Sequence, residues 1–211
     1  MNGDNLPLCE DDSAPTLSLV IPAYNESARI NQSLDAALAY LHDLPYPSEL
    51  LVVDDGSTDD TAGISSRLAA RHPDLRVITI PHGGKAAALR AGMLAARGDL
   101  IAFSDADLAT PLSYLEEFRN AILAGDDVVI GSREGVGAER IDEPSYRHLM
   151  GRVFNLLVRV LLLPGIQDTQ CGFKMFRREV AHEILRRALL YRRTDAPFKE
   201  PRVTAFDVEM L

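Results

Sequence analysis

Short apolar runs alternate with amphipathic stretches along most of the chain. The runs are Leu17–Ile21, Glu49–Val53, Arg76–Ile80, Asp99–Ser104 and Asp127–Gly131, each four to six residues of mainly Val, Ile, Leu or Phe. Such runs predict strands buried on both faces. Between them the apolar period lengthens. Ile30, Leu34, Leu38 and Leu41 form one helical stripe, and further helices are predicted over about Thr58–Arg71, over about Lys85–Ala96 and from Pro111 onward. Strands alternating with helices of this length predict βαβ units, hence an α/β fold with a mainly parallel central sheet flanked by helices.

After Arg133 the rhythm changes. A polar, glycine-containing loop (Glu134–Pro144) leads to a predicted helix over about Tyr146–Leu162, a short segment Gly172–Phe176 and a helix over about Glu179–Leu190. Residues 1–15 read as a disordered acidic tail, and 16–211 as one domain whose role changes near 133.

In parallel sheets, ligands bind beyond the carboxyl ends of the strands. That rule selects four segments for one rim: Pro22–Glu26, Asp54–Asp59, Pro81–Lys85 and Asp105–Asp107. Charge sharpens the picture. The 211 residues carry a net charge of -9, which argues against a nucleic-acid partner. A phosphate-bearing substrate then needs local Lys/Arg or a divalent cation. Cys9 and Cys171 form no CxxC pair, which points to a reducing, cytosolic compartment. The N-terminus lacks the apolar core of a signal peptide. No run reaches the ~18 apolar residues of a spanning helix, since Phe154–Leu163 is broken by Asn155 and Arg159.

Among the rim residues, Asp105 and Asp107 carry the most information. In an extended segment, carboxylates two apart point the same way, and their hard oxygens suit Mg²⁺ or Mn²⁺. Capping of the next helix is the alternative, but Thr110-Pro111 is expected to fill that role. Ser57 and Asp60 have capping-box spacing; Asp55 is left over and could read a nucleobase N–H. Asn25 and Ser27 fit caps of the first helix, and Glu26 is ambiguous. Gly83-Gly84-Lys85 is not a P-loop, because Thr79 and Ala86 stand where that motif needs Gly and Ser/Thr. It is either an anion-binding turn or an ordinary one. The five histidines (42, 72, 82, 148, 182) show no ligand spacing. Arg133, Arg140, Arg147, Arg152 and Arg159 follow, with a polar turn at Asp168–Gly172.

The ordered set Val20–Glu26, Val52–Asp59, Gly84-Lys85, Asp105-Ala-Asp107, Gly131-Ser-Arg133 and Asp168–Lys174 resembles the family 2 glycosyltransferases. Within them it is most similar to the polyprenyl-phosphate and dolichyl-phosphate transferases, the glucosyl branch above all. The resemblance implies a Rossmann-like GT-A fold with a nucleotide-sugar half (16–133) and an acceptor half (134–211) that continues past Leu211. It implies Pro22, Ala23, Tyr24, Glu26, Asp55 and Lys85 around the nucleoside, and Asp105 facing nucleotide and metal. Asp107 is implied on the Mg²⁺ or Mn²⁺, and Arg133 and Arg147 near an acceptor phosphate. Asp168 is implied as a base or a positioning residue. Ala109 stands where mannosyl relatives carry a metal-binding glutamine. The donor implied is UDP-glucose, with GDP-mannose second, and the acceptor a polyprenyl phosphate reached by peripheral contact with the inner membrane face. The expected reaction is metal-dependent and inverting. Two readings compete: a family 2 transferase with a soluble or glycan acceptor, and a non-catalytic module that only binds nucleotide sugar.

Overall fold

The computed structural model describes residues 14–132 and 171–188. A six-stranded sheet runs β3-β2-β1-β4-β6-β5. Its strands are β1 (Leu17–Ala23), β2 (Ser48–Asp54), β3 (Leu75–Thr79), β4 (Leu100–Phe103), β5 (Val128–Ile130) and β6 (Lys174–Arg177). The helices are α1 (Ile30–His42), α2 (Thr61–Ala69), α3 (Lys85–Ala95), α4 (Tyr114–Leu123) and α5 (Arg178–Arg187). Neighbouring strands from β3 to β4 pair in parallel, as the alternating pattern predicts. The segment around Phe176 becomes β6, which enters between β4 and β5 and runs antiparallel to both.

Both sheet faces are covered. Leu19, Ile21, Leu50, Val52 and Ala102 pack with α1, α2 and α4 on one face. Val20, Leu51, Val53, Ile101 and Phe103 pack with α3 and α5 on the other. The α1 stripe is buried as predicted, with Ile30 and Leu34 fully inaccessible. Burying each such side chain contributes roughly 1.5–3 kcal/mol. An isolated helix of this length is marginal in water, so its packed stripe holds it.

Of the four helices from α1 to α4, α3 starts at Lys85 after its glycine turn as predicted, while the other three start by a different device from the predicted one. α1 begins at Ile30, past Asn25 and Ser27, and neither side chain caps it. Ser57 and Asp60 form no capping box on α2. α4 starts at Tyr114, because the carbonyls of Pro111 and Leu112 first close a separate turn, and Thr110 caps nothing.

Candidate functional site

β1, β2 and β4 end side by side, and the order reverses about β1, the place where open α/β sheets bind ligands. A cleft of about 440 Å³ opens there. Pro22, Ala23, Tyr24 and Glu26 line it from the end of β1, and Asp55 from the end of β2. Lys85, the first residue of α3, and Asp105 and Asp107 after β4 complete the predicted set. All eight predicted residues within the described part therefore meet in one cleft. Arg133, Arg147 and Asp168 lie outside the described residues, as do Arg140, Arg152, Arg159 and the Phe154–Leu163 stretch.

The first two rim loops are stitched together by short polar side chains. Asn25, in the left-handed region at φ 54°, accepts the Thr58 N–H on Oδ1 at 2.8 Å and donates its own N–H to the Ser57 hydroxyl oxygen. The Glu26 N–H donates to Thr61 Oγ1, and the Ser27 N–H to Asp59. Asp59 also accepts the Thr61 hydroxyl and N–H. The hydroxyl bond is the leading cause that holds its carboxyl well below the usual carboxylate range. These residues look like helix caps in sequence; in the fold they bond a loop some thirty residues away. The Glu26 carboxylate pairs with Arg29 at 2.7 Å.

Asp55 is 2% exposed and already engaged. Its two carboxylate oxygens accept the Gly83 and Gly84 N–H groups at 2.7 and 2.8 Å, and one of them meets His82 Nδ1 at 2.9 Å. The glycine turn thus gives these amides to Asp55 rather than to an incoming anion, and its sharp bend relies on Gly84 at φ 85°. The His82 ring stacks on Tyr24, centroids 4.2 Å apart, and also lines the cleft. Sequence reasoning passed over His82, because ligand spacing was the only filter applied to histidines. Its position within a rim segment was the available signal.

Asp105-Ala-Asp107 is a turn rather than an extended segment. The Asp105 carbonyl accepts the Leu108 N–H, and Leu108 adopts φ 50°. The Asp107 carboxylate accepts the Ala109 N–H at 3.1 Å, so it braces its own loop with one oxygen. Lys85 Nζ lies 2.5 Å from Asp105 Oδ1. Gly172, at the mouth of β6, backs this carboxylate: a Cβ there would fall 2.1 Å from Asp105 Oδ2. Antiparallel β6 delivers Gly172 to the rim, and the buried Lys174 ammonium holds the preceding Cys171 carbonyl at 3.0 Å.

Among the described residues no group of three or more His, Cys, Asp or Glu could hold a metal. Asp105 and Asp107 both line the cleft, two hard carboxylates whose donor set suits Mg²⁺ or Mn²⁺ when substrate phosphates complete the shell. Also among the described residues, no helix is long and apolar enough to cross a membrane.

Comparison with known proteins shows the family. A dolichyl-phosphate beta-glucosyltransferase of Trichomonas vaginalis is 41% identical over 78% of this chain and 52% of its own length. The human dolichyl-phosphate beta-glucosyltransferase is 35% identical over 99% of this chain and 65% of its own. The chain thus spans roughly half to two thirds of these relatives. Among solved structures, glucosyl-3-phosphoglycerate synthase of Mycobacterium tuberculosis, crystallised with Mn²⁺, UDP-glucose and phosphoglyceric acid, is 27% identical with a TM-score of 0.57. It covers 79% of this chain and 58% of that one. A mannosyltransferase of Pyrobaculum calidifontis, in complex with GDP-mannose and Mn²⁺, shares the GT-A fold at 23% identity and a TM-score of 0.52. That match covers 84% of this chain and 49% of the other. The profile of glycosyl transferase family 2 matches residues 18–185, from β1 into α5, and the chain belongs to that family.

Proposed function

We propose that the chain transfers glucose from a nucleoside-diphosphate sugar to a polyprenyl phosphate of the dolichyl type, inverting the anomeric carbon. One observation carries this reading. Eight residues picked for the donor side line a single cleft, in a chain 41% identical to a dolichyl-phosphate beta-glucosyltransferase.

Pro22, Ala23 and Tyr24 form the wall for the nucleoside. Asp105 and Asp107 would hold Mg²⁺ or Mn²⁺ against the diphosphate. When bound, the cation supplies Lewis-acid stabilisation of the leaving group. Lys85 offers its ammonium to the diphosphate from the N-terminus of α3, adding a fixed positive charge where negative charge builds. An acceptor phosphate monoester, with a second pKa near ~6, is already largely dianionic at neutral pH. It needs orientation more than deprotonation. Arg133 and Arg147 are therefore assigned to the acceptor phosphate, and Asp168 to positioning. The acceptor is a lipid, so the protein works in peripheral contact with the cytoplasmic face of a membrane.

The test is transfer of label from UDP-glucose, and separately from GDP-mannose, into organic-extractable polyprenyl phosphate with Mg²⁺ or Mn²⁺. Label from UDP-glucose in the organic phase, abolished by EDTA, supports the reading. Transfer only to a water-soluble acceptor, or none at all, overturns it.

A further inference from the structure

Lys174, the first residue of β6, is fully inaccessible, and among the described residues no other lysine or arginine is buried. Its register partners are Phe103 and Ile130, the last residues of β4 and β5, so it lies at the rim end of the sheet. The ammonium donates to the Cys171 carbonyl at 3.0 Å and stands 5.3 Å from the centre of the Phe103 ring. Taking a charge out of water is costly, and a methionine would fill the same space without that cost. What only the ammonium adds is the bond that closes Cys171–Lys174 into a turn.

That turn touches both halves of the rim. On one side Gly172 backs the Asp105 carboxylate, where a Cβ would fall 2.1 Å from Oδ2. On the other, the Phe173 carbonyl accepts the Gly131 N–H at 2.9 Å, and a Cβ at Gly131 would fall 2.9 Å from the Cys171 sulfur. Asp105 follows β4 on the donor side, whereas Gly131 follows β5 and stands two residues before Arg133, which is assigned to the acceptor. Asp105 is held a second time, by Lys85 at 2.5 Å, so a loosened turn would release the Gly131 side first.

We propose that Lys174 is a positioning residue for the transfer step: by fixing this turn it sets the distance between the donor-side carboxylate and the chain leaving β5. The inference rests on the glucosyl-transfer reading of the cleft. Attack on the sugar carbon depends on where the acceptor stands relative to the donor, and a misplacement of about 1 Å is enough to cost about a hundredfold in rate. Being inaccessible, Lys174 touches neither substrate and acts through Cys171–Phe173.

Steady-state kinetics of the full chain, with UDP-glucose, a polyprenyl phosphate and Mn²⁺, test this per folded molecule. Lys174→Met should lower kcat for lipid transfer about a hundredfold and leave the UDP-glucose KM within about twofold. Cleavage of UDP-glucose by water in the absence of acceptor should keep its wild-type rate. Lys174→Arg, which keeps a cationic donor at the turn, should recover most of the loss. Gly131→Ala presses on the same turn from the β5 side and should lower kcat about tenfold, again without raising the donor KM. That variant decides the matter if Lys174→Met does not fold: an unchanged kcat in Gly131→Ala overturns the proposal. So does a wild-type kcat in folded Lys174→Met, which would make the lysine a part of the scaffold only. A donor KM that rises as kcat falls also overturns it, by confining the turn to the donor side. A wild type that cleaves UDP-glucose but transfers nothing to polyprenyl phosphate would overturn the lipid-acceptor reading, and the inference with it.

Discussion

β2 has a buried carboxylate near each end, and the two are satisfied in opposite ways. Glu49 and Asp55 are each 2% exposed. Glu49, at the end away from the cleft, receives the Ser18 hydroxyl and the Arg97 N–H, both at 2.7 Å, and guanidinium bonds from Arg97 and Arg76. Its donors come from β1, from β3 and from the turn before β4, so one carboxylate ties three strands together. Asp55 is held by the amides of a glycine turn and by an imidazole that faces the cleft. A buried charge with full-charge partners locks a scaffold, whereas one held by loop amides sets the shape of a binding surface. The same strand thus carries a carboxylate that ties strands together at one end and one that shapes the cleft wall at the other.

The largest effect that tests this division belongs to the rim. Asp107 is exposed and its carboxylate bonds only the Ala109 N–H, so its removal should leave folding nearly untouched. Asp107→Ala should lower transfer by about a thousandfold, on the scale of losing a main electrostatic contribution, while the melting temperature stays within a degree or two. Steady-state transfer and thermal unfolding on the same preparation measure both. A large drop in melting temperature would show that the rim turn is itself structural.

Next is the opposite end. Glu49→Ala removes a buried carboxylate whose two guanidinium partners are partly exposed and stay hydrated, so the loss is that of its buried hydrogen bonds, about 1–3 kcal/mol. Urea denaturation should register that loss, and transfer per folded molecule should stay at the wild-type value. If transfer per folded molecule fell with stability unchanged, the two ends of β2 would not be separable.

What the sequence made legible follows the same divide. Strand positions, the α1 stripe and the four rim segments could be read because each depends on a local run or on position at a strand end, and the family resemblance picked the eight cleft residues within those segments. The polar residues just outside the helices could not. Asn25, Ser27 and Ser57 have the same chemistry whether they cap the next helix or bond a loop thirty residues away. Only the parallel register of β1 with β2 brings Asn25 to Thr58 and Ser27 to Asp59. Non-local pairing hid β6 for the same reason. Nothing in Gly172–Phe176 announces that it inserts antiparallel beside β4, and so nothing announced Gly172 as the residue behind Asp105. Asp105 and Asp107 were picked for a geometry they do not have, since the turn at Leu108 replaces the extended segment.

Gly172 gives the third test. A methyl group there would collide with the Asp105 carboxylate, which has Lys85 on its other side. Gly172→Ala should push Asp105 out of place and raise the donor KM about tenfold, with little change in melting temperature, because the displaced group is half-exposed. An unchanged donor KM would mean that the Asp105 position is not set by this contact.

The smallest effect is the one that isolates charge from shape at the locked end. Burial alone pushes the Glu49 carboxyl up, but the bonds from Ser18, the Arg97 backbone, Arg76 and the Arg97 side chain outweigh it and hold it below the ordinary glutamate range. A carboxyl lowered by folding stabilises the fold at every pH above its unfolded value. The contribution is lost as pH falls from the unfolded value through the folded one, below which both states carry the proton. Wild-type stability should therefore decline as pH drops below about 4.3, the unfolded glutamate value. Glu49→Gln keeps the size and some of the hydrogen bonds but cannot titrate, so it should be less stable at neutral pH and show a flatter decline in acid. The two curves should converge toward low pH, where wild-type Glu49 also loses its charge. Parallel curves, separated by a constant gap, would mean that shape and hydrogen bonding, rather than charge, make this end of β2 the locked one.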